Sequence, residues 1–308
     1  MSGKVKGLIA ALSANIIWGF VSIAFRFLKD YPADIILSYR IVIAFFISWF
    51  FIISFKRKSL LSDLEEVSSN KDMPKIKFWM LLIFSGIFIT LNWFAFIYVI
   101  NNVNLKSAAF AYMICPLITA VGGFIVLKEE LTKQKFVALI IAAVSIVILA
   151  TGSLSDVLWS ALIALFYASF VILQRIIKNF DRLNMLGFQL LVGLLFVIPL
   201  FVFHPHTIPL NLNFWIAIFI VGIIFTLIPL LLSLYALGNL PSSTVGILIY
   251  INPIVAFCIA FFYFHESIKL SQIFSYILLA FAVLIFNWKI LSDNLFKNFK
   301  KKNVDIIS

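Results

Sequence analysis

The chain has 308 residues, of which 63% are hydrophobic and 12% are charged, and its mean hydropathy is +1.11. Soluble domains do not have this composition, and the apolar tracts have the length of about 20 residues that a membrane helix needs, not the roughly 10-residue alternation of a β-barrel. The formal net charge of +11 would suggest a nucleic-acid partner in a soluble chain. In a membrane protein, Lys and Arg positions instead report orientation, so we expect no nucleic-acid partner and an all-α integral protein in a lipid bilayer.

Charge clusters, prolines and asparagines divide the chain into candidate membrane helices. The ten predicted spans lie near 5–28, 34–55, 77–100, 105–127, 135–151, 155–177, 184–203, 213–237, 242–264 and 270–290. The first apolar run exceeds that of a signal peptide and is not followed by a small-x-small cleavage site. We therefore interpret it as a retained first helix.

The distribution of basic residues predicts the orientation of these spans. If the N-terminus is cytoplasmic, 19 of the 24 Lys and Arg residues fall on the cytoplasmic side. Cytoplasmic loops carry such an excess. We expect a multi-pass protein of a bacterial inner membrane with both termini in the cytoplasm, in which the loop 56–77 and the basic tail 292–308 are solvated and face lipid headgroups.

Two segments that lie 137 residues apart share their polar landmarks. "ICPLITAVGGFIVLKEE" begins at Ile114 and "INPIVAFCIAFFYFHES" begins at Ile251, so that Pro116 matches Pro253 and Glu129 matches Glu266. The same offset also aligns Tyr98 with Tyr235, Asn102 with Asn239 and Phe124 with Phe261.

The offset divides the chain into two repeats of five predicted helices, residues 1–151 and 152–291, followed by the tail 292–308. An odd number of crossings inverts the second repeat in the membrane. Inverted repeats provide alternating-access transporters with two similar gates around a central site. The sequence thus predicts a transporter of this architecture.

Five segments resemble the ten-helix drug/metabolite transporters of the EamA type and, among them, the RarD-like subgroup. They are "IIWGF", "SYRI", "LNWFAFIYVINN", "AAFAYMICPLITAVGGFIVLKEE" and "PSSTVGILIYINPIVAFCIAFFYFHE". The resemblance implies that the first four helices of each repeat line a cavity, and that the solute is an amino acid, a related metabolite or an amphipathic drug. The sequence departs from relatives at Tyr39, Ala111, Cys115 and Gln189, which are expected cavity positions.

Arg40 lies too deep in the second span to be free, because a charged side chain in hydrocarbon costs several kcal/mol. It either faces a central cavity, where it would hold a carboxylate or phosphate of a solute, or it has a structural role, reaching the outer surface or pairing with Asp34.

Other polar and aromatic groups inside the spans must face a neighbouring helix or a wet cavity, because lipid cannot satisfy them. With Arg40, the substrate-cavity candidates are Asn15, Trp18, Asn92, Trp93, Tyr112, Tyr167, Gln189, Tyr250 and Asn252. For each one, a hydrogen bond between helices is an equally good interpretation. Gln174, Thr226 and Tyr235 belong to the same class.

Pro116 and Pro253 are candidate hinges, because proline removes a backbone donor and clashes with the carbonyl four residues earlier. Each should open or bend its helix, in the two repeats from opposite sides. Glu129 and Glu266 follow the same two spans, and helix termination and loop contacts account for them.

No enzyme or cofactor motif occurs in the sequence. Cys115 and Cys258 have no metal or disulfide spacing and are expected to be buried, and His204 and His206 are expected to be solvated. We predict no catalytic residue, cofactor or metal, and a small organic solute as the partner, with the oligomeric state open. The alternatives are a membrane-embedded lipid-modifying enzyme, which would need clustered titratable residues, and an assembly subunit without a cavity.

Overall fold

The computed structural model describes residues 2–28, 30–69, 73–102, 105–149, 154–177, 179–203, 208–263 and 270–304. All regular structure in these ranges is helical. The helices are α1 (Gly3–Gly19), α2 (Val21–Arg26), α3 (Ala33–Phe55), α4 (Arg57–Ser69), α5 (Lys75–Asn102), α6 (Leu105–Leu127), α7 (Lys133–Leu149), α8 (Leu154–Ile176), α9 (Arg182–Phe203), α10 (Leu212–Gly222), a π-helix (Ile223–Leu227), α11 (Ile228–Asn239), α12 (Ser242–Leu248), α13 (Ile251–Phe262) and α14 (Leu270–Val304). Glu266, His204 and His206 lie outside these ranges.

Five of the described helical segments are long and apolar enough to cross a membrane. They are Asp34–Phe55, Lys75–Val99, Leu158–Ile176, Arg182–Pro199 and Leu212–Asn239, and three shorter apolar segments are Ala111–Leu127, Ser242–Val255 and Ile273–Lys289. Helices satisfy every backbone polar group internally, as lipid requires. The prediction of an all-α membrane protein is confirmed, and the arrangement as ten crossings in two inverted repeats stays a prediction.

The helices pack in pairs that mix early and late parts of the chain. α1 packs along α11, α3 along α9, α7 along α14, and α8 packs against both α5 and α6. Small residues permit close approach between membrane helices. A Cβ atom at Gly246 would lie 2.5 Å from the side chain of Thr119, so α12 and α6 approach closely only because position 246 is glycine.

Two helices in the later part of the chain are interrupted next to a proline. The π-helix directly precedes α11, which has Pro229 in its first turn, and residues 249–250 separate α12 from α13, which contains Pro253. In contrast, α6 is continuous through Pro116. The two hinge candidates therefore lie in different local structures.

The structure differs from the sequence prediction in three places. The loop predicted at 56–77 contains α4, which buries Asp63 and Val67. Helix α14 continues to Val304, through much of the predicted tail. Cys115 is buried as expected, but Cys258 is exposed, so the expectation of a buried Cys258 is wrong. Position 258 lies on the outer side of α13, where an apolar thiol can contact lipid.

Candidate functional site

Arg40 lies inside the helix bundle, with 8% of its surface exposed. Its Nε donates a 2.7 Å hydrogen bond to Oγ1 of Thr226, and its guanidinium carbon lies 4.5 Å from the ring centroid of Trp93. An arginine stacked on an indole is stabilised by the negative face of the ring. No carboxylate in the described ranges forms an ion pair with Arg40, so the pairing with Asp34 is not observed.

The π-helix fixes the position of Thr226. Its hydroxyl donates a 2.8 Å hydrogen bond to the carbonyl of Val221, five residues earlier, while it accepts the bond from Arg40. Such single-turn π segments are rare and often mark functional sites. The sequence indicates Thr226 as a polar residue inside a span, but it does not predict that Thr226 bonds to Arg40.

Pro229 explains why the helix is distorted at this position. It has no N–H to donate to the carbonyl of Phe225, four residues earlier. That carbonyl instead accepts a 3.1 Å hydrogen bond from Nε1 of Trp18 on α1. Trp18, a cavity candidate, therefore has a definite structural contact that compensates for a missing backbone bond.

Three tyrosines lie in the neighbourhood of Cys115. Tyr112 is near enough to both Arg40 and Cys115 for their charges to be felt, and Tyr167 and Tyr250 are similarly near Cys115. The Tyr250 hydroxyl is fully buried and has no hydrogen-bond partner in the described part of the chain. The ring of Tyr167 meets that of Trp18 edge-on, with centroids 6.3 Å apart. These residues, with Arg40 and Trp93, form what we call the central cluster: Trp18, Arg40, Trp93, Tyr112, Cys115, Tyr167, Thr226 and Tyr250.

The amide candidates make hydrogen bonds within or between helices. Nδ2 of Asn92 donates to the carbonyl of Ile163 at 2.9 Å, and Nε2 of Gln189 donates to Ser85 Oγ at 3.0 Å. Asn15 bonds to the carbonyl of Ala11 in its own helix at 2.8 Å. The carbonyl oxygen of each of these three side chains is buried without a partner among the described residues, so each retains an acceptor. Asn252 is half-buried at the start of α13.

A narrow void borders the central cluster. It is lined by Thr90, Trp93 and Gln189 together with apolar side chains, and it is too narrow for a water molecule. A polar rim with aromatic and aliphatic walls is the usual composition of a small-molecule site. In this structure the helices are packed too closely around it to leave room for a solute.

Glu129, just after α6, bonds to the start of α12, which lies more than a hundred residues further along the chain. Its carboxylate accepts hydrogen bonds from the backbone N–H and hydroxyl of Ser242, at 2.6 and 2.8 Å, and from the N–H of Ser243 at 3.0 Å. Burial alone would raise the pKa of this carboxyl, but the hydrogen bonds from the two serines outweigh burial, and the pKa is lower than usual. A carboxylate at the first N–H groups of a helix is favourable for the same reason as an N-cap.

The same end of the bundle carries a second polar contact. Asp181, at the start of α9, forms an ion pair of 2.6 Å with Lys56. Asp63 of α4 accepts hydrogen bonds from the N–H of Asp181 at 3.0 Å and from the side chain of Asn184 at 2.6 Å. We call this end of the bundle the Glu129 end. The sequence did not predict either contact, because the partners lie more than a hundred residues apart.

Comparison with known proteins places the chain in a family. The EamA-like transporter family matches residues 5–151 and 154–288. An uncharacterized transporter, YojE of Bacillus subtilis, is 30% identical over 290 residues, covering 92% of this chain and 94% of that protein. Protein RarD of Escherichia coli is 27% identical over 290 residues, covering 91% and 94% of the two chains.

A solved crystal structure illustrates the shared fold. It superposes with a TM-score of 0.73 at 16% sequence identity, and the match covers 94% of this chain and 98% of that one. At this identity the likeness concerns the fold alone. From the two family matches and the curated relatives, the chain belongs to the EamA-like transporter family, in its RarD-like part, and is a multi-pass membrane transporter.

Proposed function

We propose that the protein moves a small organic solute with a carboxylate group across the bacterial inner membrane by alternating access, and that Arg40 binds the carboxylate. The observation that carries the proposal is a buried guanidinium with no carboxylate partner in the described part of the chain. Such a charge costs several kcal/mol inside a membrane protein, so an arginine at this position indicates a function.

The geometry leaves the terminal nitrogens of Arg40 available. Thr226 occupies Nε and Trp93 covers one face of the guanidinium. The two Nη groups can donate in parallel to a carboxylate, which is the arrangement that arginine forms best. The aromatic side chains of the central cluster suit the apolar part of an amino acid, a related metabolite or an amphipathic drug.

Ten crossings in two inverted repeats agree with the helix positions and with two family matches of similar length. In this arrangement the Glu129 end is cytoplasmic, because it carries most of the Lys and Arg residues. The contacts of Glu129 and Asp181 keep that end closed, and access from the other side would load the site. Release to the cytoplasm, or uptake from it, requires these contacts to break.

An enzyme that modifies lipids is the weaker alternative. In the ranges given above, no three His, Cys, Asp or Glu side chains are close enough to hold a metal ion. A subunit without transport activity would leave the buried charge of Arg40 unexplained.

The experiment is a screen of the purified protein, first by thermal shift and then by uptake into liposomes, with amino acids and related carboxylates. We expect one solute class to stabilise the wild type and to be transported. Arg40→Gln should abolish both effects, and Arg40→Lys should lower apparent affinity about tenfold or more, because Lys lacks the planar fork. Lys58→Gln, which changes an exposed cation, is the matched control. If an Arg40→Gln protein transports the solute like the wild type, the proposal is wrong.

A further inference from the structure

A second cavity lies at the Glu129 end, apart from the central cluster. It has a volume of about 260 Å³ and is lined by the end of α8, the connection to α9 and the end of α11. Its lining contains two arginines, Arg175 and Arg182, and the amides of Gln174 and Asn179. The composition is polar and cationic, which differs from the aromatic central cluster.

The two arginines have no carboxylate partner in the described ranges. Arg175 donates from Nη1 to the carbonyl of Leu237 at 2.8 Å, at the end of α11. The guanidinium of Arg182 packs on Gly238, where a side chain would clash with it. Asp181 acts electrostatically on Arg182, but its carboxylate is already bonded to Lys56 and to the backbone of Leu183.

Gln174 is the most informative residue of this cavity. Only 2% of its surface is exposed, and neither Oε1 nor Nε2 of its amide has a hydrogen-bond partner among the residues that the structure describes. Buried polar groups are normally bonded. A buried amide beside two guanidinium groups that lack a carboxylate partner in the described ranges is what a site for a polar ligand requires.

We propose that this cavity binds a phosphate group, either of a free phosphate compound or of a lipid headgroup. Two guanidinium groups match the charge and the oxygen geometry of phosphate, and Nε2 of Gln174 can supply a further donor. The carbonyl of Leu237 and the carboxylate of Asp181 would repel an anion. However, the carbonyl already accepts a hydrogen bond from Arg175, and the carboxylate already pairs with Lys56. A bound phosphate would join α8 and α9 to the end of α11 and stabilise the closed Glu129 end.

The test is the melting temperature of the intact protein in zwitterionic-lipid nanodiscs, titrated with inorganic phosphate at constant ionic strength. A parallel series contains phosphatidic acid in the nanodisc without added phosphate. We expect a saturable rise in one series or both, and the responding series identifies the source of the phosphate group. The apparent affinity should fall about tenfold in Arg182→Gln.

Two further variants separate binding from misfolding. Gly238→Ala fills the space against Arg182, and alanine favours the helix. Gln174→Leu removes the unbonded amide. Both variants should therefore fold, and both should lose the rise in melting temperature with phosphate. Gln174→Leu should also raise the melting temperature of the unliganded protein. Lys58→Gln should respond like the wild type. If the rise is absent from the wild type in both series, or is equal in all variants, the proposal is wrong, and the proposed transport function is unaffected.

Discussion

Arg40 and Thr226, on two helices that lie far apart in sequence, share a 2.7 Å hydrogen bond inside the bundle. The acceptor belongs to a π-helix whose own geometry directs the hydroxyl toward Arg40. The guanidinium therefore depends on a local distortion of the partner helix for its orientation.

Removing the Thr226 hydroxyl should disturb the orientation of Arg40 without changing its charge. We expect Thr226→Val to destabilise the protein by about 1.5–3 kcal/mol, because a bond to a buried charged group is lost, and to reduce solute binding. Thr226→Ser keeps the hydroxyl and should remain near wild type in both respects. Thermal unfolding and solute titration measure the two effects. A Thr226→Val protein with unchanged binding would show that Thr226 does not orient Arg40.

The Glu129 contact should make stability depend on pH. Its pKa is lowered in the folded state, so its contribution is fully present above the usual carboxyl value of 4.5 and is lost as the pH falls through the lower folded value. We expect Glu129→Gln to lower stability at neutral pH by about 1 kcal/mol, discounted because the site is partly exposed, and the difference from wild type to disappear in acid.

Glu130→Gln is the control, because the neighbouring Glu130 is exposed and its backbone carbonyl, which the change leaves intact, accepts the bond from Lys135. Melting temperatures between pH 3 and pH 8, about the range over which carboxyl groups titrate, provide the measurement. A Glu129→Gln curve parallel to the wild type would contradict the lowered pKa.

Replacing the two hinge prolines should have effects of different size. Pro253→Ala restores a donor next to the break between α12 and α13, so we expect a continuous helix, slower hydrogen exchange over residues 242–262 and slower transport. Pro116→Ala changes a helix that is already continuous, and its effect should be smaller. Peptide-resolved hydrogen exchange measures this without a known solute. If the two variants have equal effects, the two prolines act as equivalent hinges in the two repeats, as the sequence predicts.

The sequence predicts where helices lie because the bilayer requires long apolar tracts. The predicted span 105–127 coincides with α6, and the span 34–55 with α3. It also predicts that Arg40 cannot be free in lipid. It does not predict the partners of Arg40, since Thr226 acquires its role only when α3 and the π-helix pack together.

Contacts between distant loops were equally inaccessible to sequence reasoning. Glu129 lies just after α6, as predicted for a residue that marks the end of a span. The sequence gives no sign that Ser242 donates hydrogen bonds to its carboxylate. The segment 56–77 was predicted to be a solvated loop because it is polar. It contains α4, whose Asp63 accepts hydrogen bonds from Asp181, just before α9, and from Asn184 in α9.

The contact of Trp18 with Phe225 permits the sharpest test of the local structure. Trp18→Phe removes the indole N–H and leaves the Phe225 carbonyl without its donor, and we expect a loss of about 1–3 kcal/mol. Pro229→Ala supplies a backbone N–H that can bond to the same carbonyl. In the double variant the backbone donor replaces the indole, so the cost of Trp18→Phe should be smaller than in the wild-type background. A double-mutant cycle of thermal or denaturant unfolding measures this coupling. If the two changes are additive, the indole does not compensate for Pro229, and the π-helix has another cause.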